Sequence, residues 1–161
     1  MGPSGTREAD INLAVATKLK QLLEGKGFRV QMTRDNDNFI SLQSRAIKAN
    51  AVNAAFFVSI HCNAASDPNA GGTETYCATG SKQGEELARA IHRPLVTATG
   101  LKDRGVKAAS FYVLRCTKMP AVLIELAFIS NEKEEHLLKD TAFQEKVAEA
   151  IAKGIIAYTK G

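Results

Sequence analysis

The chain has 161 residues, of which 45% are hydrophobic and 24% charged, and its formal net charge at pH 7 is +4. This length and composition fit one globular domain over residues 1–161, without the roughly 18 uninterrupted apolar residues that a membrane-spanning helix needs. Tryptophan is absent, 6% of the residues are aromatic and the basic residues do not cluster, so a nucleic-acid partner is not expected.

The first half of the chain predicts two helices and two strands. Apolar residues at helical spacing predict a helix over 8–25, and alternating apolar and polar residues predict a half-buried strand over 28–34. A second helix is predicted over 41–53. The nearly continuous apolar run 54–60 has the length expected of a strand covered by protein on both faces, and it ends at His61.

The second half of the chain predicts strands that alternate with helices. The predicted strands cover 73–77, 111–114 and 121–124, the predicted helices cover 83–97, 132–139 and 143–158, and loops are predicted at 63–72 and 100–105. Such alternation indicates an α/β fold with a mostly parallel twisted sheet and helices on both faces.

Two titratable residues follow the predicted buried strands, His61 after the first and Glu125 after the last. Ligands of open α/β sheets bind beyond the carboxyl ends of the strands, and imidazole and carboxylate are zinc ligands, although a catalytic zinc takes three protein ligands. A charged residue after an apolar strand also often marks only the point where the chain meets water. Because HExxH, GxSxG, P-loop and GxGxxG motifs are absent, metal-assisted hydrolysis is the chemistry that the residue types best support.

The remaining candidates receive structural interpretations. Cys62, Cys77 and Cys116 are widely spaced and odd in number, which predicts small buried hydrophobic residues, with a disulfide between two of them as the alternative. His92 and His136 are predicted to lie on the surface.

Several motifs, in order along nearly the whole chain, resemble those of the zinc-dependent N-acetylmuramoyl-L-alanine amidases of type 3. They occupy 13–19, 33–35, 42–50, 59–64, 100–106, 119–125 and 128–131. The resemblance implies a zinc ion held by two histidines and a glutamate beside a second, catalytic glutamate.

The resemblance also assigns individual residues. It makes His61 and Glu8 metal ligands, Glu125 the catalytic glutamate, and Asn63 and Arg104 residues that orient the substrate. By itself, Glu8 would be explained as a first-turn carboxylate that the helix dipole favours.

The chain departs from this family at its beginning. The family's first strand, and the first metal-binding histidine after it, would precede Gly2, and no histidine here lies upstream of His61. If the chain is complete as given, we expect a sheet without that strand, a zinc site short of one protein ligand, weak metal occupancy, little activity, and self-association through an exposed sheet edge. A shortened sequence, a misplaced start, or a ligand supplied by another chain would each also explain the departure. Ala127 stands where the family usually has glycine.

The resemblance implies a peptidoglycan hydrolase that cleaves the amide bond between N-acetylmuramic acid and the L-alanine of the stem peptide by zinc-activated water. A catalytically impaired peptidoglycan-binding or regulatory domain of the same fold is the alternative, followed by a zinc peptidase of related architecture. The implied location is the periplasm or cell wall, or that of a phage or spore lysin, although the chain shows no signal-peptide core.

Overall fold

A four-stranded mixed sheet forms the centre of the computed structural model, which describes residues 1–161. Its strands are β1 (Phe57–Asn63), β2 (Thr73–Ala78), β3 (Asp103–Ala109) and β4 (Ala121–Phe128), in the spatial order β1-β4-β2-β3. The β1–β4 and β2–β3 pairs are parallel, whereas β2 runs antiparallel to β4. The predicted α/β class and mostly parallel sheet are confirmed.

Helices cover both faces of this sheet. They are α1 (Glu8–Glu24), α2 (Leu42–Ala51), α3 (Lys82–Thr99), α4 (Tyr112–Arg115), α5 (Glu132–Lys139) and α6 (Thr141–Lys160). α1, α3 and α6 bury their apolar stripes in the main core, together with Val122, Ile124 and Leu126 of β4. On the opposite face, α4 packs on Ala121 and Leu123 in a much smaller apolar cluster. None of the helices combines the length and apolarity needed to cross a bilayer.

The side-chain alternation of β4 decides which residues each face receives. Val122, Ile124 and Leu126 point to the main core, so Glu125 points to the same side as Leu123, where the helical cover is slight. α3 and α6 pack closely behind the sheet, because Gly154 lies against the backbone of Ala90 and Ile91. The main apolar core therefore lies on one face of the sheet, whereas the other face, which carries Glu125, has only slight helical cover.

Three predicted elements are wrong. Segment 28–34 forms no strand, because no neighbouring strand pairs with it. The predicted loop at 100–105 contains the start of β3, whose charged residues are tolerated because it lies at a sheet edge. The predicted strand at 111–114 is instead largely the short helix α4, since a run of four apolar residues does not distinguish the two periodicities.

The positions of His92 and the cysteines refine the sequence interpretation. His92 was expected on the surface but is buried, because the face of α3 that carries it packs on β2. Its Nδ1 lies 3.0 Å from Thr75 Oγ1 and its Nε2 lies 2.8 Å from Asp103 Oδ1, so both ring nitrogens have partners. His136 is exposed, as predicted. The three cysteines are free, and the two in strands are buried.

Candidate active site

Three titratable side chains lie in one row across the sheet. Strand pairing places His61 of β1 opposite Glu125 of β4, and Glu125 opposite Glu74 of β2. Residues opposite each other on neighbouring strands project to the same face, which here is the open one. The sequence placed His61 and Glu125 after their strands, whereas both lie within them.

Glu8 joins this row from the first turn of α1. Its Oε1 accepts a hydrogen bond from the Cys62 backbone N–H at 3.1 Å and lies 2.9 Å from His61 Nδ1. Burial of the carboxyl group opposes ionisation, but the hydrogen bonds from His61 and Cys62 outweigh it and lower the pKa of Glu8. The other imidazole nitrogen, Nε2, lies 3.0 Å from Ser59 Oγ.

A carboxylate of α5 holds the loop that leads to Glu8. Glu135, whose exposure is 1%, accepts hydrogen bonds from the Ser4 N–H at 3.1 Å, the Ser4 hydroxyl at 2.7 Å and the Thr6 N–H at 3.3 Å. Burial opposes ionisation of this carboxyl group, yet the hydrogen bonds from Thr6 and Ser4 lower its pKa to about 2. The ionised Glu135 carboxylate thus ties the first loop to α5, and the position of Glu8 depends on this contact.

Among the carboxylates of the site, Glu125 has the fewest hydrogen bonds to offset the cost of its burial. Burial raises its pKa to about 7, and the neighbouring Glu8 and Glu74 add to the rise, while His61 partly offsets it. Its Oε2 is the single buried side-chain polar atom without a hydrogen-bond partner. Because such atoms are rare in folded proteins, this one marks a position where another molecule or ion belongs.

Glu74 is the centre of a polar cluster that the sequence analysis did not identify. It is 2% exposed and accepts hydrogen bonds from Asn63 Nδ2 at 2.6 Å, Tyr76 Oη at 2.9 Å, Arg104 Nε at 3.1 Å, and Lys107 Nζ. Burial of Glu74 opposes its ionisation, and the hydrogen bonds, Lys107 foremost, outweigh that effect and lower its pKa. A carboxylate inside a short strand is uncommon and was the available signal.

All five residues that the sequence singled out lie in this one region. Glu8 contacts His61, which pairs with Glu125, while Asn63 and Arg104 both bind Glu74 on the other side of Glu125. The Asn63 amide uses one N–H for Glu74 and one Oδ1 lone pair for the Ala64 N–H at 2.9 Å, so a second N–H and a second lone pair remain for another partner. Arg104 is 29% exposed at its side chain and can present its remaining N–H groups outward.

Glu8 and His61 form the donor set of a candidate metal centre. Glu8 and His61 offer the carboxylate oxygen and imidazole nitrogen that zinc takes, so the donor types fit. No group of three His, Cys, Asp or Glu side chains is placed to hold a metal ion, so the number falls one short of a catalytic zinc. Burial raises the pKa of the Cys62 thiol well above its ordinary value, so Cys62 is not an activated nucleophile.

Comparisons with known proteins show which family the sequence and the fold match. The family model described as "N-acetylmuramoyl-L-alanine amidase" (Amidase_3) matches residues 1–157. The chain is 39% identical over 157 residues to the N-acetylmuramoyl-L-alanine amidase LytC of Bacillus subtilis (strain 168), covering 96% of this chain and 32% of LytC. It is 44% identical over 161 residues to the endolysin of Bacillus phage SPP1, covering 94% of this chain and 58% of the endolysin.

A solved structure extends the likeness to the whole fold. The catalytic domain of CwlV, an N-acetylmuramoyl-L-alanine amidase from Bacillus (Paenibacillus) polymyxa var. colistinus, superposes with a TM-score of 0.95 at 40% identity. The superposition covers 99% of this chain and 89% of that domain. The chain therefore corresponds to one domain-sized part of LytC and of the endolysin.

Proposed function

Because the chain belongs to the N-acetylmuramoyl-L-alanine amidase family, we propose that it hydrolyses the amide bond between N-acetylmuramic acid and the L-alanine of the stem peptide in peptidoglycan. The supporting observation is the buried, unpartnered Glu125 Oε2 in a row with His61 and Glu74. A binding module has no use for a carboxylate that is costly to bury and left without a hydrogen bond.

Glu125 is suited to proton transfer. A general base works best when its pKa lies near the working pH, and burial raises the pKa of Glu125 to about 7. Glu125 accepts the proton of the attacking water as the water adds to the carbonyl carbon. It then delivers this proton to the leaving amine of L-alanine, so the same oxygen serves both halves of the reaction.

Glu8 and His61 would hold the zinc ion that this family uses, together with a further ligand. When bound, zinc would polarise the scissile carbonyl and lower the pKa of a coordinated water. The chain holds both ligands in place. The Cys62 N–H orients the Glu8 carboxylate, and the Ser59 hydroxyl orients the His61 imidazole.

The Glu74 cluster would position the substrate on the other side of Glu125. Glu74 holds Asn63 and Arg104 by hydrogen bonds, so their outward groups are presented with little freedom. A guanidinium and an amide suit the carboxylate and amide groups of a stem peptide. We therefore assign Asn63 and Arg104 to substrate orientation.

Peptidoglycan is the expected partner, and the place of action is the periplasm or cell wall, or the wall reached by a phage or spore lysin. Cell-wall muropeptides carry carboxylates, which complement the net charge of +4.

The test is release of stem peptides from purified muropeptides, with zinc content per chain measured on the same samples. With zinc present, the chain should release peptide with a new L-alanine amino terminus. Glu125→Gln should retain the bound zinc and lose a factor of about 10²–10⁴ in rate. Glu132→Gln, an exposed carboxylate change on α5, is the control and should leave the rate unchanged.

Two outcomes would contradict this assignment. Binding of sacculi by the zinc-loaded chain with no release of peptide would favour a binding or regulatory domain. Cleavage of peptides that lack the sugar, at equal rates, would favour a zinc peptidase.

A further inference from the structure

Glu134, in the first turn of α5, joins two backbone segments that reach the candidate active site. Its side chain belongs to a buried residue, and both of its partners are backbone N–H groups. One oxygen accepts the Gly72 N–H at 2.9 Å, at the end of the loop between β1 and β2, and the other accepts the Phe128 N–H at 2.6 Å, at the end of β4. A carboxylate accepts stronger hydrogen bonds than a neutral group, so both segments are held firmly.

The first of these segments contains a carbonyl group that binds Arg104. Gly71 and Gly72 share one planar peptide group, whose N–H end binds Glu134 and whose C=O end accepts Arg104 Nη1 at 3.3 Å. Because the N–H and C=O of a trans peptide point in opposite directions, fixing the N–H also fixes the direction of the carbonyl. The Glu134 carboxylate therefore orients the guanidinium of Arg104 through a single rigid plane.

The second segment carries the aromatic ring on which Arg104 lies. The guanidinium carbon is 4.9 Å from the centre of the Phe128 ring, which is within the range of a cation–π contact. The backbone N–H of this same phenylalanine is the one that Glu134 binds. Two of the three contacts of the guanidinium thus depend on Glu134, and the third, from Nε to Glu74, comes from β2.

Two glycines make this close arrangement possible. A Cβ at Gly71 would overlap Glu134 Oε1, and a Cβ at Gly72 would lie 2.5 Å from Lys102 O and 2.9 Å from Arg104 Cγ. Gly72 also has a φ of +117°, which residues with a side chain rarely adopt. The absence of side chains here lets the carboxylate and the guanidinium approach one peptide group from its two ends.

Arg104 has N–H groups left for a ligand. Two of its five N–H groups are used within the chain, so three remain. A guanidinium held in one direction can donate parallel hydrogen bonds to the two oxygens of a carboxylate, whereas an amide presents an NH₂ group in place of one oxygen. The direction of Arg104 therefore decides how well it distinguishes an acidic ligand from an amidated one.

We propose that Glu134 is a positioning residue that directs Arg104 at a carboxylate of the stem peptide, through the Gly71–Gly72 peptide group and Phe128. This proposal rests on the proposed function, in which Arg104 orients the substrate. Glu134 thereby sets the preference of the protein for stem peptides with free carboxylates over amidated ones.

The test is a calorimetric titration with two cleaved stem tetrapeptides, one with free carboxylates and one with the same groups amidated, in the presence of zinc. Because these peptides lack the scissile bond, binding is measured without hydrolysis. The unaltered chain should bind the acidic peptide at least about tenfold more tightly. Glu134→Gln, which turns an NH₂ group towards one of the two bound N–H groups, should reduce this ratio to less than about threefold.

Glu135→Gln is the matched control for a merely structural role. Glu135 is the neighbouring buried carboxylate of α5 and also accepts backbone N–H groups, but those of Ser4 and Thr6 in the first loop. Its replacement should lower Tm, as Glu134→Gln does, and keep the full ratio between the two peptides. If Glu134→Gln fails to fold, Glu134→Asp, which keeps the charge but shortens the reach, should give an intermediate ratio.

A double variant identifies the residue through which Glu134 acts. Arg104→Gln should abolish the preference for the acidic peptide, and adding Glu134→Gln to it should cause no further change in the ratio. Independent, additive effects of the two substitutions would contradict the proposed connection between the two side chains.

Other results would also overturn the inference. A ratio near one in the unaltered chain would show that Arg104 is not directed at a carboxylate. A full ratio in Glu134→Gln or Glu134→Asp, or an equal loss in Glu135→Gln, would show that Glu134 only supports the fold. Absence of peptide release from muropeptides, with the binding ratios as expected, would instead contradict the amidase assignment and leave the role of Glu134 in place.

Discussion

Replacing Glu135 with glutamine should loosen the first loop and reveal how firmly Glu8 is held. The carboxylate accepts three hydrogen bonds from Ser4 and Thr6, and its pKa is about 2 instead of the ordinary 4.5. That gap corresponds to about 3 kcal/mol at neutral pH. Because Ser4 is exposed and water screens the interaction, we expect Glu135→Gln to lose about 2 kcal/mol.

The pH dependence of stability distinguishes the ionised Glu135 carboxylate from an ordinary packing contact. A carboxyl group whose pKa is depressed in the folded state stabilises it fully above the unfolded value, near pH 4.5, and loses this effect as pH falls towards 2. The difference between wild type and Glu135→Gln should therefore shrink from about 2 kcal/mol at pH 7 to about 1 kcal/mol at pH 3.

Thermal unfolding followed by circular dichroism measures this effect. At pH 7 the variant should unfold about 4–8 °C below wild type. Glu132→Gln removes another carboxylate from the first turn of α5, but an exposed one, so it reports the helix-dipole contribution alone and should stay within about 0.5 kcal/mol of wild type. Equal losses in the two variants, or a loss at pH 3 as large as at pH 7, would refute the reasoning.

Three further changes probe the site and the core. In the metal-free chain, Glu125→Gln should raise stability by about 1–2 kcal/mol at pH 8 and little at pH 4.5, because the raised pKa of about 7 makes the ionised form costly; denaturant unfolding at both pH values checks the sign. Glu74→Gln should lose about 2 kcal/mol in the same assay, because it removes the charge that pairs with Arg104 and Lys107, whereas Tyr76→Phe, which keeps that carboxylate, should lose about 1 kcal/mol. Gly154→Ala should lower stability by about 1–3 kcal/mol, because its methyl group meets the backbone of α3, while Gly161→Ala, whose methyl group would make only ordinary van der Waals contacts at 3.9 Å or more, should not change Tm.

Local sequence patterns predicted the helices better than the strands. Residue patterns placed the ends of α1, α5 and α6 within two residues of the observed ones. In the structure, the side chains of Asn131 and Asp140 accept first-turn N–H groups at the starts of α5 and α6. The strand predicted over 28–34 does not form, because an alternating sequence becomes a strand only when a neighbour pairs with it. Whether this segment pairs depends on tertiary structure, which the local sequence pattern does not contain.

The site was partly visible in the sequence. His61 and Glu125 stood out because each follows an apolar run, and their meeting required only that the two strands be neighbours. Glu74 and Glu135 gave much weaker signals, since Glu135 lies in the charged run 132–135, which is typical of a solvated helix face. Their roles depend on partners 30 and 131 residues away, which no local pattern encodes.

The contacts that assemble the site also fix when it can exist during synthesis. Glu8 meets His61 across 53 residues, and the first loop meets α5 across 131. A growing chain that has passed Glu74 but not Glu125 can bring Glu8 to His61, but it lacks the carboxylate that lies between His61 and Glu74, and its first loop is still unanchored. The row of side chains is therefore complete only after Glu125 has been added to the chain, and the loop that leads to Glu8 is anchored only after Glu135 has been added.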